Sequence, residues 1–334
     1  MEIQVFSSIS DINVCEWEQL MKSSPFSNFF QSKQCYEFYN KTDFLNPFVF
    51  GVLENHLLKG IIVGYIQSDG GIIKSYFSRR AIINAGPLLA SDISDEALFE
   101  LLSVCKKDLQ KKAIYIEIRN FFDYSCYKAT FEKVGFYYKQ HLNFQIDTSS
   151  EEIVMQNMGK SRKRDIKVTL RDGASMVENP TEQEVEQYYS ILTDLYKKKV
   201  KTPLFPLNFF VELFKYDYAH FLFVKYDDKI IGGTVCVGFP GTPLYEWFAC
   251  GEDGLYKNIH ASTLATFGGI RYACHNEHPI FDMMGAGTPE DSYGVRDFKA
   301  KFGGKLVENG RFLCTLNPIL FRLGKLAVKI LKKL

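Results

Sequence analysis

Hydrophobic and polar segments follow the same order in two long stretches of the chain. Residues 113–147 have the pattern of a strand, a loop, a helix that ends at a glycine, and a further strand, and residues 279–313 repeat it. Each stretch is preceded by two apolar runs with a polar turn between them, at residues 48–66 and 221–239. The repetition predicts two similar α/β domains and argues against one continuous parallel sheet.

The pattern also predicts where the two domains begin and end. A helix is expected before the strand–helix–strand segment of each half, at residues 95–112 and 260–274. Between the halves, "QIDTSSEE" ends a strand and offers Ser and Thr side chains that can cap a helix. We therefore predict a first domain at 1–148, a second domain with the substrate site at 149–316, and a C-terminal helix at 317–334.

The C-terminal segment predicts an amphipathic helix whose charged face is entirely basic. Its cations are Arg322, Lys325, Lys329, Lys332 and Lys333. Leucine and isoleucine side chains fall mostly on the other face. A basic amphipathic helix is typical of binding to a membrane surface, and a terminal helix docked on the core is the alternative.

Composition indicates a globular protein with balanced charge. The 334 residues are 46% hydrophobic and 15% aromatic, which is enough to form sizeable hydrophobic cores. The net charge of +1 argues against a protein that binds nucleic acid through its overall charge. The first residues lack the apolar core of a signal peptide, and no apolar run has the length of a membrane span. The eight cysteines form no C-x-x-C pair. We expect a cytoplasmic protein, with peripheral contact to the inner face of the membrane through 318–334.

Charged residues in apolar surroundings mark the candidate chemistry of the second domain. The stretch "DSYGVRDFKAKFGGK" predicts a short helix with Tyr293, Arg296 and Lys299 on one face. This face is either a basic ligand site or an ordinary solvated face. Glu246 and Asp282 each interrupt an apolar strand, where a carboxylate is costly unless it is paired. Either one is a candidate general base or orienting group, and a structural ion pair is the alternative.

Other motifs narrow the class of reaction. No Ser-His-Asp or Cys-His pattern stands out, so direct attack by an acceptor amine is simpler than a covalent enzyme intermediate. The segment "CHNEHP" contains residue types that bind metals, but its spacing is too cramped for a tetrahedral site, and no metal is predicted. Trp247 either packs in the core or lines a substrate groove.

Five segments, taken in their order and spacing, resemble the Fem-type peptidyltransferases (the FemABX family). They are "FFQSKQCYEFY", "KRDIKVTLRDG", "LYEWFACGEDGLYKNIHASTLATFGGIRYA", "IFDMMGAGTPED" and "YGVRDFKAKFGGK". The resemblance covers about residues 28–314 and is strongest in the second half. It implies two tandem acyl-CoA N-acyltransferase-like (GNAT) domains with mixed sheets.

The resemblance also implies an activity and a set of site residues. The family moves an amino acid from aminoacyl-tRNA to an amine, in the best-known cases on a peptidoglycan precursor. Lys299 matches the lysine of the family's F-K-x-x-F-G motif, which lies beside the acceptor's phosphates and the reacting centre. Arg164 and Lys167 match a basic segment, in which Lys167 replaces an arginine and Asp165 an asparagine. The predicted catalytic residues are Glu246, Asp282 and Lys299. The predicted substrate-binding residues are Arg119, Arg162, Arg164, Lys167, Trp247, Tyr293 and Arg296.

The chain departs from the family at two places. The helical arm with which some members bind tRNA has no room between Asp172 and Ala219. The strand "IYIEI" is followed by Arg119 and Asn120, where several relatives place an acid and a proline.

Two other functions remain open at this point. An acyl-CoA-dependent N-acyltransferase acting on an envelope or nucleotide-linked sugar is the first, although "KNIHASTLA" lacks the glycine-rich pyrophosphate loop usual in acetyl-CoA-binding domains. A non-catalytic binding module of the same fold is the second. The main hypothesis needs no cofactor: aminoacyl-tRNA is the donor, acyl-CoA is the alternative donor, and a nucleotide- or lipid-linked envelope precursor is the acceptor.

Overall fold

The computed structural model describes residues 2–290 and 294–331, and the side chains of 72–74 and 327–331 lie outside this description. The strands are β1 (Ile3–Phe6), β2 (Leu45–Glu54), β3 (Leu57–Gln67), β4 (Arg80–Ala85), β5 (Leu88–Leu89), β6 (Tyr115–Asn120), β7 (Tyr137–Lys139), β8 (Leu142–Asp147), β9 (Ser175–Val177), β10 (Ala219–Tyr226), β11 (Lys229–Val237), β12 (Leu244–Gly251), β13 (Ile280–Gly285), β14 (Lys305–Glu308) and β15 (Arg311–Thr315). The helices are α1 (Val14–Ser23), α2 (Lys33–Asn40), α3 (Ile72–Ser78), α4 (Asp95–Leu109), α5 (Lys128–Val134), α6 (Glu151–Asn157), α7 (Lys160–Arg171), α8 (Glu182–Leu195), α9 (Leu207–Leu213), α10 (Ala261–His275), α11 (Gly294–Ala300) and α12 (Pro318–Leu331).

The first of two compact units comprises Met1–His141 and Glu308–Leu334. Its strands are ordered β1-β2-β3-β4-β6-β15-β7, with β5 beside β3. β4 and β6 are parallel, and β6 pairs antiparallel with β15 on its other side. Apolar residues of α4 and α5, such as Leu101 and Phe131, pack with Ile118 of β6 into one buried core. The sheet is therefore mixed, as predicted.

The second unit, Leu142–Val307, contains a sheet ordered β14-β8-β13-β12-β11-β10-β9. Its parallel pair is β12 and β13, and β13 pairs antiparallel with β8 on its other side. The α10 residues Leu264 and Ile270 pack in a core with Phe281 of β13. A helix of small and apolar residues thus covers the strands that carry the predicted acids.

The two sheets have the same strand order. Apart from β5, which has no counterpart, reading β1-β2-β3-β4-β6-β15-β7 beside β9-β10-β11-β12-β13-β8-β14 places each strand opposite its counterpart, including the parallel pairs. Gly135 and Gly303 follow the equivalent helices α5 and α11, with φ of 102° and 83°. Glycine adopts this left-handed conformation without a steric penalty. The repeat in the hydrophobic pattern is a repeat in topology.

Strand pairing divides the chain differently from the boundaries predicted at 148 and 316. β8 directly follows β7 but pairs with β13 of the second sheet, and β15 follows β14 but pairs with β6 of the first. The second unit therefore begins at Leu142, and the chain returns to the first unit at Glu308. Alternation along a strand indicates which residues are buried and leaves open which neighbour supplies the hydrogen bonds. The exchange of β8 and β15 was for this reason not visible in the pattern.

Local sequence accounts for several ends of these elements. Ser94, Ser150 and Thr181 accept hydrogen bonds from the first turns of α4, α6 and α8, respectively. Asp227 and Asp228, with φ of 46° and 59°, form the two-residue turn between β10 and β11, as the polar turn predicts. Within residues 2–290 and 294–331, no helix combines the length and apolarity that a membrane span requires.

Candidate active site

The parallel strands of the second unit separate soon after they begin. β12 and β13 pair at two positions, of which Tyr245 with Asp282 is the last. The corresponding strands of the first unit, β4 and β6, pair at six positions through to their last residues. The carboxyl-terminal parts of β12 (246–251) and β13 (283–285) therefore leave an opening, called here the β12–β13 opening. Such a gap at the carboxyl ends of parallel strands is a usual place for a ligand.

A β-bulge lies where β12 enters this opening. Val235 of β11 pairs with Phe248, whereas the next residue, Cys236, pairs with Glu246, so Trp247 is the inserted residue. A bulge re-aims the side chains on either side of it. Here it leaves Glu246 on the face of the sheet that α10 covers.

Glu246 is held through one carboxylate oxygen. Its side chain is 7% exposed. The hydroxyl of Thr266, on α10, donates to Oε1 at 3.0 Å, and the hydroxyl of Thr234, on β11, lies 3.4 Å from the same oxygen. In the part of the chain that the structure describes, no donor is placed on Oε2. One oxygen of this carboxylate is thus fixed, and the other is available for chemistry.

Asp282 is held through both oxygens. Gln145 of β8 donates to Oδ2 at 3.0 Å, and the main-chain N–H of Met284 donates to Oδ1 at 2.7 Å. Met284 has a φ of 56°, rare for a residue with a Cβ, and the pairing of β13 with β8 is irregular between Asp282 and Gly285. The carboxylate therefore stabilises the distorted end of β13, which suits an orienting role better than that of a base.

Lys299 points inward from α11 and is only 9% exposed. Its Nζ donates to the main-chain oxygens of Met283 and Gly285, the latter at 2.9 Å. Lys301, two residues further on, is exposed. The alternative of a solvated helix face therefore does not describe Lys299. Its ammonium lies against the end of β13, beside the β12–β13 opening.

The three charged groups influence one another electrostatically. Burial raises the pKa of Asp282 to about 6, against the effect of its hydrogen bonds and of the Lys299 charge. Burial also raises the pKa of Glu246, and Lys299 opposes this shift. The pKa of Lys299 is lowered by burial, while both acids raise it. Among the described residues no direct ion pair joins them, so the two acids are held mainly by hydrogen bonds.

Arg296 holds the loop that follows β13. Its guanidinium donates to the main-chain oxygens of Ala286 at 3.0 Å, Pro289 at 3.5 Å, and Thr288. Arg296 and Lys299 thus both reach the end of β13, in agreement with the helix face they share. Tyr293, predicted on the same face, lies outside the described residues.

The basic helix α7 has an inward and an outward face. Arg162 is 8% exposed, and it donates to the Thr263 hydroxyl of α10 at 2.9 Å and to the main-chain oxygen of Phe298 at 3.3 Å. Its guanidinium carbon also lies 4.2 Å from the centre of the Phe298 ring. Arg164 and Lys167 are exposed on the outward face. Arg162 therefore connects α7, α10 and α11, and the other two remain accessible to a ligand.

The N-terminus of α10 already carries a carboxylate. The main-chain N–H of Ser262 donates to Asp253 Oδ1 at 3.0 Å. Exposed amides at a helix N-terminus favour an anion. Asp253 supplies that negative charge from within the protein, so a second anion at the same amide would meet electrostatic repulsion.

Two of the predicted residues occupy other surroundings. Arg119 lies on β6 of the first unit, where it donates to Glu117 at 3.0 Å, and Arg311 donates to Glu117 at 2.8 Å. Burial raises the pKa of Glu117, but the two arginines outweigh this effect and lower the pKa to about 2. The Trp247 ring packs on Phe209 of α9, with ring centres 5.3 Å apart. Trp247 therefore lies against aromatic side chains of the unit.

The segment "CHNEHP" does not converge on a common point. His275 Nε2 lies 3.0 Å from Glu151, and His278 Nδ1 lies 2.9 Å from the main-chain oxygen of Thr242. Throughout residues 2–290 and 294–331, no group of three His, Cys, Asp or Glu side chains is arranged to hold a metal ion.

The sequence did not single out the residues that support the candidate site. Thr234, Thr266 and Gln145 hold the two acids, and Asp253 covers the N-terminus of α10. A threonine in an apolar helix or strand is common and carries no signal of its own. These residues become recognisable only when the fold brings them to a buried carboxylate.

The fold is similar to that of several solved structures. The crystal structure of FemX matches with a TM-score of 0.72 and 13% identity, covering 97% of this chain and 99% of that one. A tandem GNAT protein from the clavulanic acid biosynthesis pathway matches with a TM-score of 0.62 and 11% identity, covering 95% of this chain and 99% of that one. L-PGS from Bacillus licheniformis matches with a TM-score of 0.56 and 12% identity, covering 94% of this chain and 96% of that one. No family model and no curated protein matches the sequence. The predicted Fem-type tandem GNAT fold is therefore confirmed. Sequence identities this low show similarity of fold and not of function.

Proposed function

We propose that the protein is a Fem-type aminoacyltransferase that moves an amino acid from aminoacyl-tRNA to an amine of a cell-envelope precursor. The observation that carries the proposal is the β12–β13 opening, where Glu246 follows the last paired residue of β12 and Lys299 donates to the last residue of β13. Strands β4 and β6 of the first unit remain paired, so the chemistry is assigned to the second unit.

The proposed reaction needs a base, a positive charge and controlled approach. The acceptor amine attacks the ester carbonyl of the aminoacyl-tRNA, a C–N bond forms, and the C–O bond to the terminal ribose breaks. Glu246 Oε2 accepts the proton of the attacking amine, and the leaving ribose oxygen takes up a proton. Burial, which raises the pKa of Glu246, strengthens it as a base. No covalent enzyme intermediate is required.

Lys299 and Asp282 give the opening its shape and charge. Lys299 uses two N–H donors on the carbonyls at the end of β13, and its charge acts on Glu246 and Asp282. This charge would stabilise the developing oxyanion or a phosphate of the acceptor. Asp282 fixes the turn at Met284 and balances the lysine, so it acts as a positioning residue.

The surroundings of α10 favour aminoacyl-tRNA over acyl-CoA as the donor. Asp253 already accepts from the Ser262 amide, where a pyrophosphate would otherwise bind. On the outward face of α7, the exposed cations Lys160, Arg164, Lys167 and Arg171 recur every three or four residues. Such a row suits contact with the phosphates of an RNA chain.

A donor screen tests the proposal. The purified protein is incubated with a mixture of radiolabelled aminoacyl-tRNAs, or with labelled acyl-CoA, and with nucleotide- and lipid-linked peptidoglycan precursors as acceptors. We expect label to reach an acceptor amine only from aminoacyl-tRNA, and Glu246→Gln to slow the transfer about a hundredfold or more. Transfer from acyl-CoA alone would establish the N-acyltransferase instead. Binding of precursor without transfer from either donor would identify a non-catalytic module.

A further inference from the structure

The C-terminal helix α12 exposes aliphatic side chains in the part of it that is described. Ile319, Leu323 and Leu326 are 73%, 50% and 56% exposed. Residues three and four apart share a helix face, so the three form one apolar stripe in contact with solvent. A helix that uses its apolar face for docking shows the opposite arrangement, with this stripe buried.

The other side of α12 attaches the helix to the first unit. The ring of Phe321 packs edge-on against Tyr115 of β6, with centres 5.3 Å apart. Gly324 faces α3, where an added Cβ would lie 4.0 Å from the main-chain oxygen of Phe77. The helix is therefore docked through one side and presents its aliphatic side outward. The two alternatives considered for this segment, docking and surface binding, are compatible.

Helix α3 extends the exposed apolar area. Tyr76 and Phe77 are 52% and 47% exposed, and the close approach at Gly324 brings α3 beside α12. The residues of this area, called here the α3–α12 surface, are Tyr76, Phe77, Ile319, Leu323 and Leu326. Exposed aromatic and aliphatic side chains grouped in this way mark an interaction surface.

The charges around the α3–α12 surface indicate what binds there. Arg322 is exposed on α12 directly before Leu323 of the aliphatic stripe. Lys325 is also exposed, and its Nζ lies 4.5 Å from the centre of the Phe321 ring, while Arg79 lies 4.6 Å from the centre of the Tyr76 ring. The segment 317–334 contains five cations and no acid, in a chain whose net charge is +1. A second copy of this segment would be repelled, whereas a surface of anionic headgroups would be attracted. We propose that the α3–α12 surface binds the face of an anionic lipid bilayer.

Binding of the full-length protein to vesicles tests this proposal. Wild-type protein should sediment with vesicles of equimolar phosphatidylcholine and phosphatidylglycerol, and much less with phosphatidylcholine alone. Ile319→Gln/Leu323→Gln should weaken binding on the order of tenfold or more, because each apolar side chain removed from the interface lowers the partition. Phe77→Ser on α3 should also weaken binding, which a lipid contact through the tail alone would not produce.

Matched variants separate the apolar and electrostatic contributions. Leu57→Gln changes an equally apolar side chain, 60% exposed on β3, and should bind vesicles as the wild type does. Arg322→Gln/Lys325→Gln should lose about fivefold in binding per charge on the anionic vesicles, while Lys107→Gln/Lys111→Gln, on α4 and in the turn after it, should not. Thermal unfolding of each variant checks that the core is intact.

Three results would overturn the proposal. The first is that wild-type protein remains in the supernatant with both kinds of vesicle. The second is equal binding of the wild type and of Ile319→Gln/Leu323→Gln. The third is a dimer in analytical ultracentrifugation that the same double substitution dissociates while vesicle binding stays unchanged, which would make the surface a contact between copies.

Discussion

The ammonium of Lys299 donates to the main-chain oxygen of Gly285 at 2.9 Å, so a cation from α11 is attached to the last residue of β13. The same strand end carries the Asp282 carboxylate, bonded to the Met284 amide. The helix that the sequence marked as a basic ligand site is therefore part of the frame of the β12–β13 opening. Its lysine contributes both to the stability of the unit and to the charge of the candidate site.

Lys299→Met should reduce both stability and activity. A lysine on a solvated helix face could be replaced without effect on folding, but Lys299 is buried. The substitution leaves two buried carbonyl oxygens without their donor and two acids without their counter-charge, which should cost about 1–3 kcal/mol in the free energy of unfolding. Loss of the charge should also lower kcat/KM about a hundredfold. Denaturant unfolding and the transfer assay measure the two effects.

Lys301→Met is the matched control. This lysine is exposed, so its removal should change the free energy of unfolding by less than about 0.5 kcal/mol and leave transfer unaffected. Equal behaviour of the two variants would contradict the role given to Lys299.

Asp282→Asn should remove a pH dependence of stability. The carboxyl ionises near its usual pKa of 3.8 in the unfolded chain and at about 6 in the folded protein. Between these values the folded state keeps a proton that the unfolded state has released, so stability falls as the pH rises and is constant above the higher value. The variant is neutral throughout. Its stability relative to wild type should therefore rise by up to about 3 kcal/mol between about pH 4 and pH 7.

Unfolding in urea at a series of pH values measures this difference. A constant offset between the two proteins across the range would show that folding does not raise the pKa of Asp282.

Glu246→Gln should remove the proton-accepting carboxylate and preserve the local structure. Glutamine retains an oxygen that can accept from Thr266 and Thr234, so the melting temperature should change little. Loss of a general base lowers the rate about 10²- to 10⁴-fold. In wild type, kcat/KM should rise with pH as the carboxyl loses its proton, and this limb should be missing from the residual activity of the variant. A pH profile that keeps the limb would assign it to another group.

Substitutions of Arg162 and Arg164 should have different effects on stability and on tRNA binding, although the two residues lie only two positions apart on α7. Arg162→Met removes hydrogen bonds to two other helices and should cost about 1–3 kcal/mol of stability. Arg164→Met removes a largely exposed ion pair with Asp165 and should cost at most about 1 kcal/mol of stability, but it should weaken binding of tRNA and reduce its salt dependence. Binding of tRNA measured at several salt concentrations separates them. An unchanged salt slope for Arg164→Met would exclude the outward face of α7 from contact with RNA.

Much of the fold was predictable because it depends on local patterns. The apolar runs and polar turns in 48–66 and 221–239 identified the hairpins, and the repeated strand–helix–glycine–strand order indicated duplication. The partners of β8 and β15 were not predictable, because strand pairing between segments distant in the chain leaves no periodic signal.

The candidate site shows the same division between local and tertiary information. Glu246 and Asp282 were identified because a carboxylate is costly in an apolar strand, and Lys299 because it lies on a basic helix face and matches the F-K-x-x-F-G motif; this much the sequence determined by itself. Which carboxylate oxygen is available, that Lys299 points inward, and that Arg162 and Arg164 have separate surroundings were decided by tertiary structure. The physical reason is that burial and hydrogen bonding depend on neighbours far away in the chain: Thr266 reaches Glu246 across 20 residues and Gln145 reaches Asp282 across 137.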